Sequence, residues 1–104
     1  MKVVTLPAAR NDILAQFLYL IDQEVPHVAE HFIDAVEQTV SRLLNNPEIG
    51  IPKKFKNRRL EGLRQWPVEG FEIIQIYYLA AEDTLRIVRV LHGQRDRDRI
   101  LSKE

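Results

Sequence analysis

Apolar residues recur along this chain with two different periods. In ARNDILAQFLYLIDQE the residues Ile13, Leu14, Phe17, Leu20 and Ile21 fall at helical spacing, which predicts an amphipathic helix with one broad buried face. Pro7 supplies a fixed φ suited to that helix's first turn. The Val25-Pro26 pair ends the pattern, because a residue preceding proline is pushed out of the helical region. Pro26 then opens a second stripe of Val28, Phe32, Ala35, Val36, Thr39, Val40 and Leu43, stopped by NNPEIG. So short a break predicts that helices over residues 7–24 and 26–46 pack as an antiparallel hairpin.

The other period is two. KVVTL is a β-branched run that predicts a strand over 2–6. After Gly50 the chain turns basic and turn-rich, with an extended piece expected around residues 63–68. FEIIQIYYL and TLRIVRVLH are strongly β-prone and separated by AAED, which predicts an antiparallel hairpin. Antiparallel strands are thus expected within 62–92, with a C-terminal tail over 93–104. A single layer of helices covers one face of such a sheet, so the expected class is α+β, a two-layer β-α-α-β-β-β arrangement with the helical hairpin on one face of a small antiparallel sheet. Regular alternation in the last strand puts Leu85, Ile87, Arg89 and Leu91 on one face and Arg86, Val88, Val90 and His92 on the other. Both faces then carry apolar residues. The face without helices must be covered by the basic loop, by the tail or by another protein.

Composition narrows the class. At 104 residues the chain is expected to form one domain, 1–104. It has no cysteine, which excludes disulfides and thiolate metal sites. No stretch approaches the roughly 18 to 20 apolar residues of a membrane span, and MKVVTLPAARND is too short in apolar run for a signal peptide. A soluble, cytoplasmic protein without membrane contact is therefore expected. The net charge is zero, yet residues 1–52 carry three Lys or Arg against seven Asp or Glu, and residues 53–104 carry twelve against eight. An acidic side and a basic side follow, and such a one-sided field bears on partner choice.

Four stretches carry candidate chemistry. HVAEH at 27–31 superficially matches a zinc pattern, but His27, His31, Asp34 and Gln38 share the polar side of their helix, so no metal and no cofactor are expected. KKFKNRR at 53–59 gathers five cations around one aromatic, a patch suited to phosphates or to an acidic protein segment, or an ordinary charged loop. Trp66, Tyr77 and Tyr78 sit inside β-prone runs and read as packing residues. RVLHGQRDRDRI, at 89–100, joins His92 to Arg89, Arg95 and Arg97. Metal-free RNA cleavage needs proton-transfer groups and cations around a phosphorane, and His92 with Arg89 or Arg95 offers those types. Strand phase, however, places Arg89 and His92 on opposite faces unless the strand twists or stops at His92, which Gly93 permits.

The A-x-x-D-I of Ala9 to Ile13, NNPEIG, the GLR of Gly62 to Arg64, VEGFEIIQIYY and above all RVLHGQRD resemble the ParE/RelE superfamily of type II toxin-antitoxin toxins, closer to the ParE branch. The resemblance covers nearly the whole chain. It implies a cytoplasmic bacterial toxin with a β-α-α-β-β-β fold, neutralised in a hetero-oligomer with a cognate antitoxin. ParE-like members poison DNA gyrase by protein contact, whereas RelE-like members cleave mRNA on the ribosome as metal-independent endoribonucleases. A RelE-like set here comprises His92, Arg89, Arg64 and Arg95. Glu72 stands where those nucleases place an arginine, Leu101 where they place a late tyrosine, and Gly93 follows His92, so a ParE-like gyrase inhibitor is the favoured expectation. The alternatives are a RelE-like nuclease and a degenerate, non-toxic member that only binds antitoxin. The expected partner-binding residues are Lys53, Lys54, Lys56, Arg64, Arg89, His92, Arg95 and Arg97.

Overall fold

The computed structural model describes residues 1–93 and 100–101. The element order is β1 (Lys2–Thr5), α1 (Pro7–Asp22), α2 (Pro26–Asn45), β2 (Ile51–Pro52), β3 (Arg64–Val68), β4 (Phe71–Ala81) and β5 (Thr84–His92), with one 3-10 turn at Arg58–Leu60. Each helix has its proline in the first turn. α1 ends where Glu24 adopts φ 60°, a left-handed residue that halts the spiral before Val25. No helix among the described residues is long and apolar enough to cross a membrane.

α2 buries the expected stripe, with Ala29, Phe32, Ala35, Val36, Thr39 and Leu43 inside. Thr39 Oγ1 donates to the Ala35 carbonyl at 2.7 Å and accepts from the Glu69 N–H at 3.0 Å, tying the helix to the β3–β4 turn. α1 departs from the expected single buried face. Ala9 is buried, and Ile13 and Leu20 pack partly on the core. Leu14 and Ile21, expected inside, are exposed together with Leu18 and Tyr19. Apolar residues run all round this helix, while α2 and the sheet reach one side of it.

The sheet has the order β1-β5-β4-β3-β2. It is mixed rather than wholly antiparallel: β1 runs parallel to β5, from Lys2↔Thr84 to Thr5↔Ile87. The short β2 also adds an edge strand beyond those expected, paired antiparallel with β3. Hydrophobic alternation reports which face a residue occupies and is silent on strand direction. The β4–β5 turn consists of Glu82 and Asp83, since Ala81 still pairs with Thr84.

Within β5 the alternation is reset. Tyr77 pairs with Arg89 and Tyr78 with Ile87, which leaves Val88 as an extra residue. This bulge sends Leu85, Ile87 and Val90 to the helix-covered core and Val88 and Leu91 to the opposite cluster. The regular phase had kept Val88 with Val90 and Ile87 with Leu91, and both pairs are split. The opposite cluster is built on Tyr77, Val88 and Leu91 and closed by Leu60 and Leu63 of the basic loop and by Leu101, with Phe55 and Ile100 packed around them. The chain itself thus covers the second sheet face, and an open apolar stripe remains on α1.

Candidate functional site

β1 stops at Thr5, so beyond Ile87 no strand among the described residues lies on the outer side of β5. α1 takes that place. Asp12 Oδ2 accepts the Val90 N–H at 3.0 Å, satisfying a ladder donor at an otherwise open edge. The same carboxylate receives two bonds from Arg89, Nε to Oδ2 at 2.7 Å and Nη2 to Oδ1 at 2.8 Å. The two side chains are only 18% and 14% exposed. A two-pronged guanidinium-carboxylate pair in this setting is a strong contact, and loss of the acid would remove both of these bonds from a largely buried cation. His92, exposed at the end of β5, borders an open cleft of about 440 Å³ with Gln16, Tyr19 and Ile74, and Asp12 forms part of the same wall. By register Arg89 lies opposite Tyr77 and His92 opposite Ile74, on different faces. Asp12 nevertheless binds Arg89 and lines the same cleft as His92.

Arg64 belongs elsewhere. It pairs with Tyr78 while His92 pairs with Ile74, a separation of about 13 Å along β4 at about 3.3 Å per residue, with further strand spacings across the sheet. Its Nη1 donates to the carbonyls of Glu48 at 3.1 Å and Gly50 at 2.7 Å. Beside it, the Tyr78 hydroxyl donates to the Pro47 carbonyl at 2.7 Å and accepts the Gly50 N–H at 2.9 Å. Burial raises the Tyr78 phenol above its ordinary value, against the opposing pull of the Gly50 bond and the Arg64 charge. A Cβ at position 50 would collide with the Tyr78 hydroxyl, which is the structural reason for the glycine of NNPEIG.

Lys54 and Lys56 are exposed and Lys53 is half-buried; with Arg58 they line an open cleft of about 370 Å³, while Phe55 between them turns inward to the second core. Arg95 and Arg97 lie outside the described residues. Glu72 is exposed and its Oε2 accepts the Gly70 N–H at 2.6 Å, holding the β3–β4 turn. His27 and His31 are exposed, and His31 meets the Phe71 ring at 5.8 Å. Among the described residues no three His, Asp or Glu side chains gather as a metal site. Tyr77 and Tyr78 are core residues, and the Trp66 indole Nε1 is buried with no hydrogen-bond partner among the described residues. Asp12 is the functional neighbour that residue patterns did not single out. Its signal was a carboxylate directly before the apolar run of the helix, inside the A-x-x-D-I stretch.

The fold is similar to that of a chain in a solved structure described as "Chromosomal ParDE TA system from P. aeruginosa", which matches with a TM-score of 0.72 at 15% identity, over 90% of this chain and 97% of that one. At such identity the likeness is one of fold. No curated protein matches the sequence. The family model of the ParE toxin of the type II toxin-antitoxin system, parDE, matches residues 3–97, and the chain belongs to that family.

Proposed function

We propose that this toxin arrests growth in the bacterial cytoplasm by binding DNA gyrase, and that a cognate antitoxin neutralises it in a hetero-oligomer. The observation that carries the reading over RNA cleavage is the dispersal of the required cations. Arg64 sits at the far end of the sheet from His92 and is spent on two carbonyls, and Arg89 is held by Asp12. A phosphorane needs its proton-transfer groups and cations converging on one point. The exposed Lys54 and Lys56, with Lys53 and Arg58 beside them, form a cationic rim suited to an acidic protein segment.

Titration of the purified protein into a gyrase supercoiling reaction is expected to abolish supercoiling at toxin excess; undiminished supercoiling removes this target. The exposed His92 beside the Asp12 cleft keeps a RelE-like nuclease as the second reading. That reading requires codon-specific mRNA cleavage in a translating extract, lost on His92→Ala. A protein that only binds antitoxin would cause no growth arrest when expressed alone. Charge reversal of Lys53, Lys54 and Lys56 is expected to slow antitoxin association and flatten its salt dependence. An unchanged rate would move that interface off the basic loop.

A further inference from the structure

Among the described residues, the helical layer leaves an apolar stripe of α1 exposed. Leu14, Leu18 and Ile21 are 53%, 54% and 41% exposed, and they follow one another at intervals of four and three residues along α1. That interval is the seam along which one helix packs against another. Neither α2 nor the sheet reaches it, and the second apolar face of the sheet is already closed by the loop and by Leu101.

The charges of α1 say what kind of partner fits. Arg10 lies near its N-terminal end, Asp22 is its last residue and Glu24 follows directly; no acid stands in the first turn and no base in the last. This is the reverse of what the helix's own dipole favours, so each end carries an uncompensated charge. An antiparallel copy of the same helix compensates both, bringing Arg10 to Asp22 and Glu24 of the other copy and opposing the two dipoles. The positions are also self-complementary. The midpoint between Arg10 and the Asp22–Glu24 pair falls at Gln16 to Phe17, and that between Leu14 and Ile21 falls at Phe17 to Leu18, within half a turn. Asp12, the remaining acid of α1, is already matched by Arg89 and adds no repulsion.

We propose that α1 is a self-association surface, on which a second copy of this chain packs its own α1 antiparallel about a two-fold axis near Phe17 and Leu18. Such a contact is isologous and closes as a dimer. Two to three helical turns bury less than the roughly 800 Å² per partner of a standard interface, so the dimer is weak and concentration-dependent, with a dissociation constant on the order of micromolar or above. The proposal is independent of which macromolecule the toxin inhibits.

Sedimentation velocity of the full chain from low micromolar to near-millimolar concentration tests it, with circular dichroism to verify that each variant is folded. A reversible monomer-dimer equilibrium is expected. Leu18→Glu, which sets two carboxylates face to face on the axis, should remain monomeric throughout, as should Leu14→Gln if the first variant folds poorly. Arg10→Glu should raise the dissociation constant roughly tenfold, and adding Asp22→Lys and Glu24→Lys should restore it. A wild-type chain that stays monomeric overturns the proposal, and so does a dimer indifferent to both apolar substitutions, or a charge swap that rescues nothing. A monomeric toxin whose antitoxin binding is weakened by Leu18→Glu would assign the stripe to the antitoxin instead.

Discussion

Set side by side, the two helices of the hairpin use a similar number of apolar residues in different ways. In α2, Phe32, Thr39 and Leu43 are completely buried, and the charged residues Glu30, Asp34 and Glu37 face outward. In α1 the same degree of burial is reached by Ala9, while four large apolar side chains stand in water. α2 is written for the core. α1 is written for three neighbours at once: the core through Ile13 and Leu20, the open edge of β5 through Asp12, and an external surface through Leu14, Leu18 and Ile21. A helix whose polar face has been replaced by a second apolar stripe identifies a contact that the isolated chain does not satisfy.

The contrast gives a graded set of tests. Phe32→Ala, which empties a site between α2 and the Phe71 ring 5.4 Å away, is expected to cost about 3–5 kcal/mol in denaturant unfolding. Asp12→Ala should cost about 3 kcal/mol, because it removes the two-pronged acceptor of a largely buried Arg89 and the acceptor of the Val90 N–H together. Removing Arg89 as well should recover part of that loss, and a double-mutant cycle with no coupling between the two would contradict the role given to Asp12.

Tyr78 offers a test by pH. Its folded phenol titrates above the unfolded value of 10.0, so the native state holds the proton longer. The contribution is fully present below pH 10 and is lost as pH rises beyond it through the folded pKa. Urea midpoints of the wild-type chain should therefore fall from pH 9 to 11 more steeply than those of Tyr78→Phe. Equal slopes would mean that the phenol ionises freely. At the small end, Leu18→Ser should change monomer stability by no more than about 0.5 kcal/mol, in contrast to any buried position of α2. A loss near that of Phe32→Ala would place Leu18 in the fold rather than on a contact surface.

Much of this architecture was legible in residue patterns. The α2 stripe, the two β-prone runs and the need for a cover on the second sheet face all follow from local periodicity, and Phe55 amid its lysines foreshadowed the loop that supplies that cover. Three features were hidden. The parallel pairing of β1 leaves no mark on alternation. The partnership of Asp12 with Arg89 spans 77 residues and joins a helix to a strand, so neither local window contains it. The extra residue at Val88 depends on what β4 presents opposite, and a run such as RIVRVL reads as regular whether or not it bulges. The RVLHG stretch was therefore correctly recognised as a strand end, yet its arginine proves to be a fastening of the fold.

The bulge also bears on how this strand can change over generations. Loss of the single codon for Val88 would preserve the order of every other residue and nearly all of the hydrophobic content. Because Val88 is the residue without a partner on β4, its loss would close the bulge and leave Arg89 opposite Tyr77 and Val90 opposite Ile76, each on its present face, with the second core short of one valine. The bulge thus gives β5 one position at which a change in length leaves the pairing of the strand's end, and with it the Val90 amide's bond to Asp12, in place.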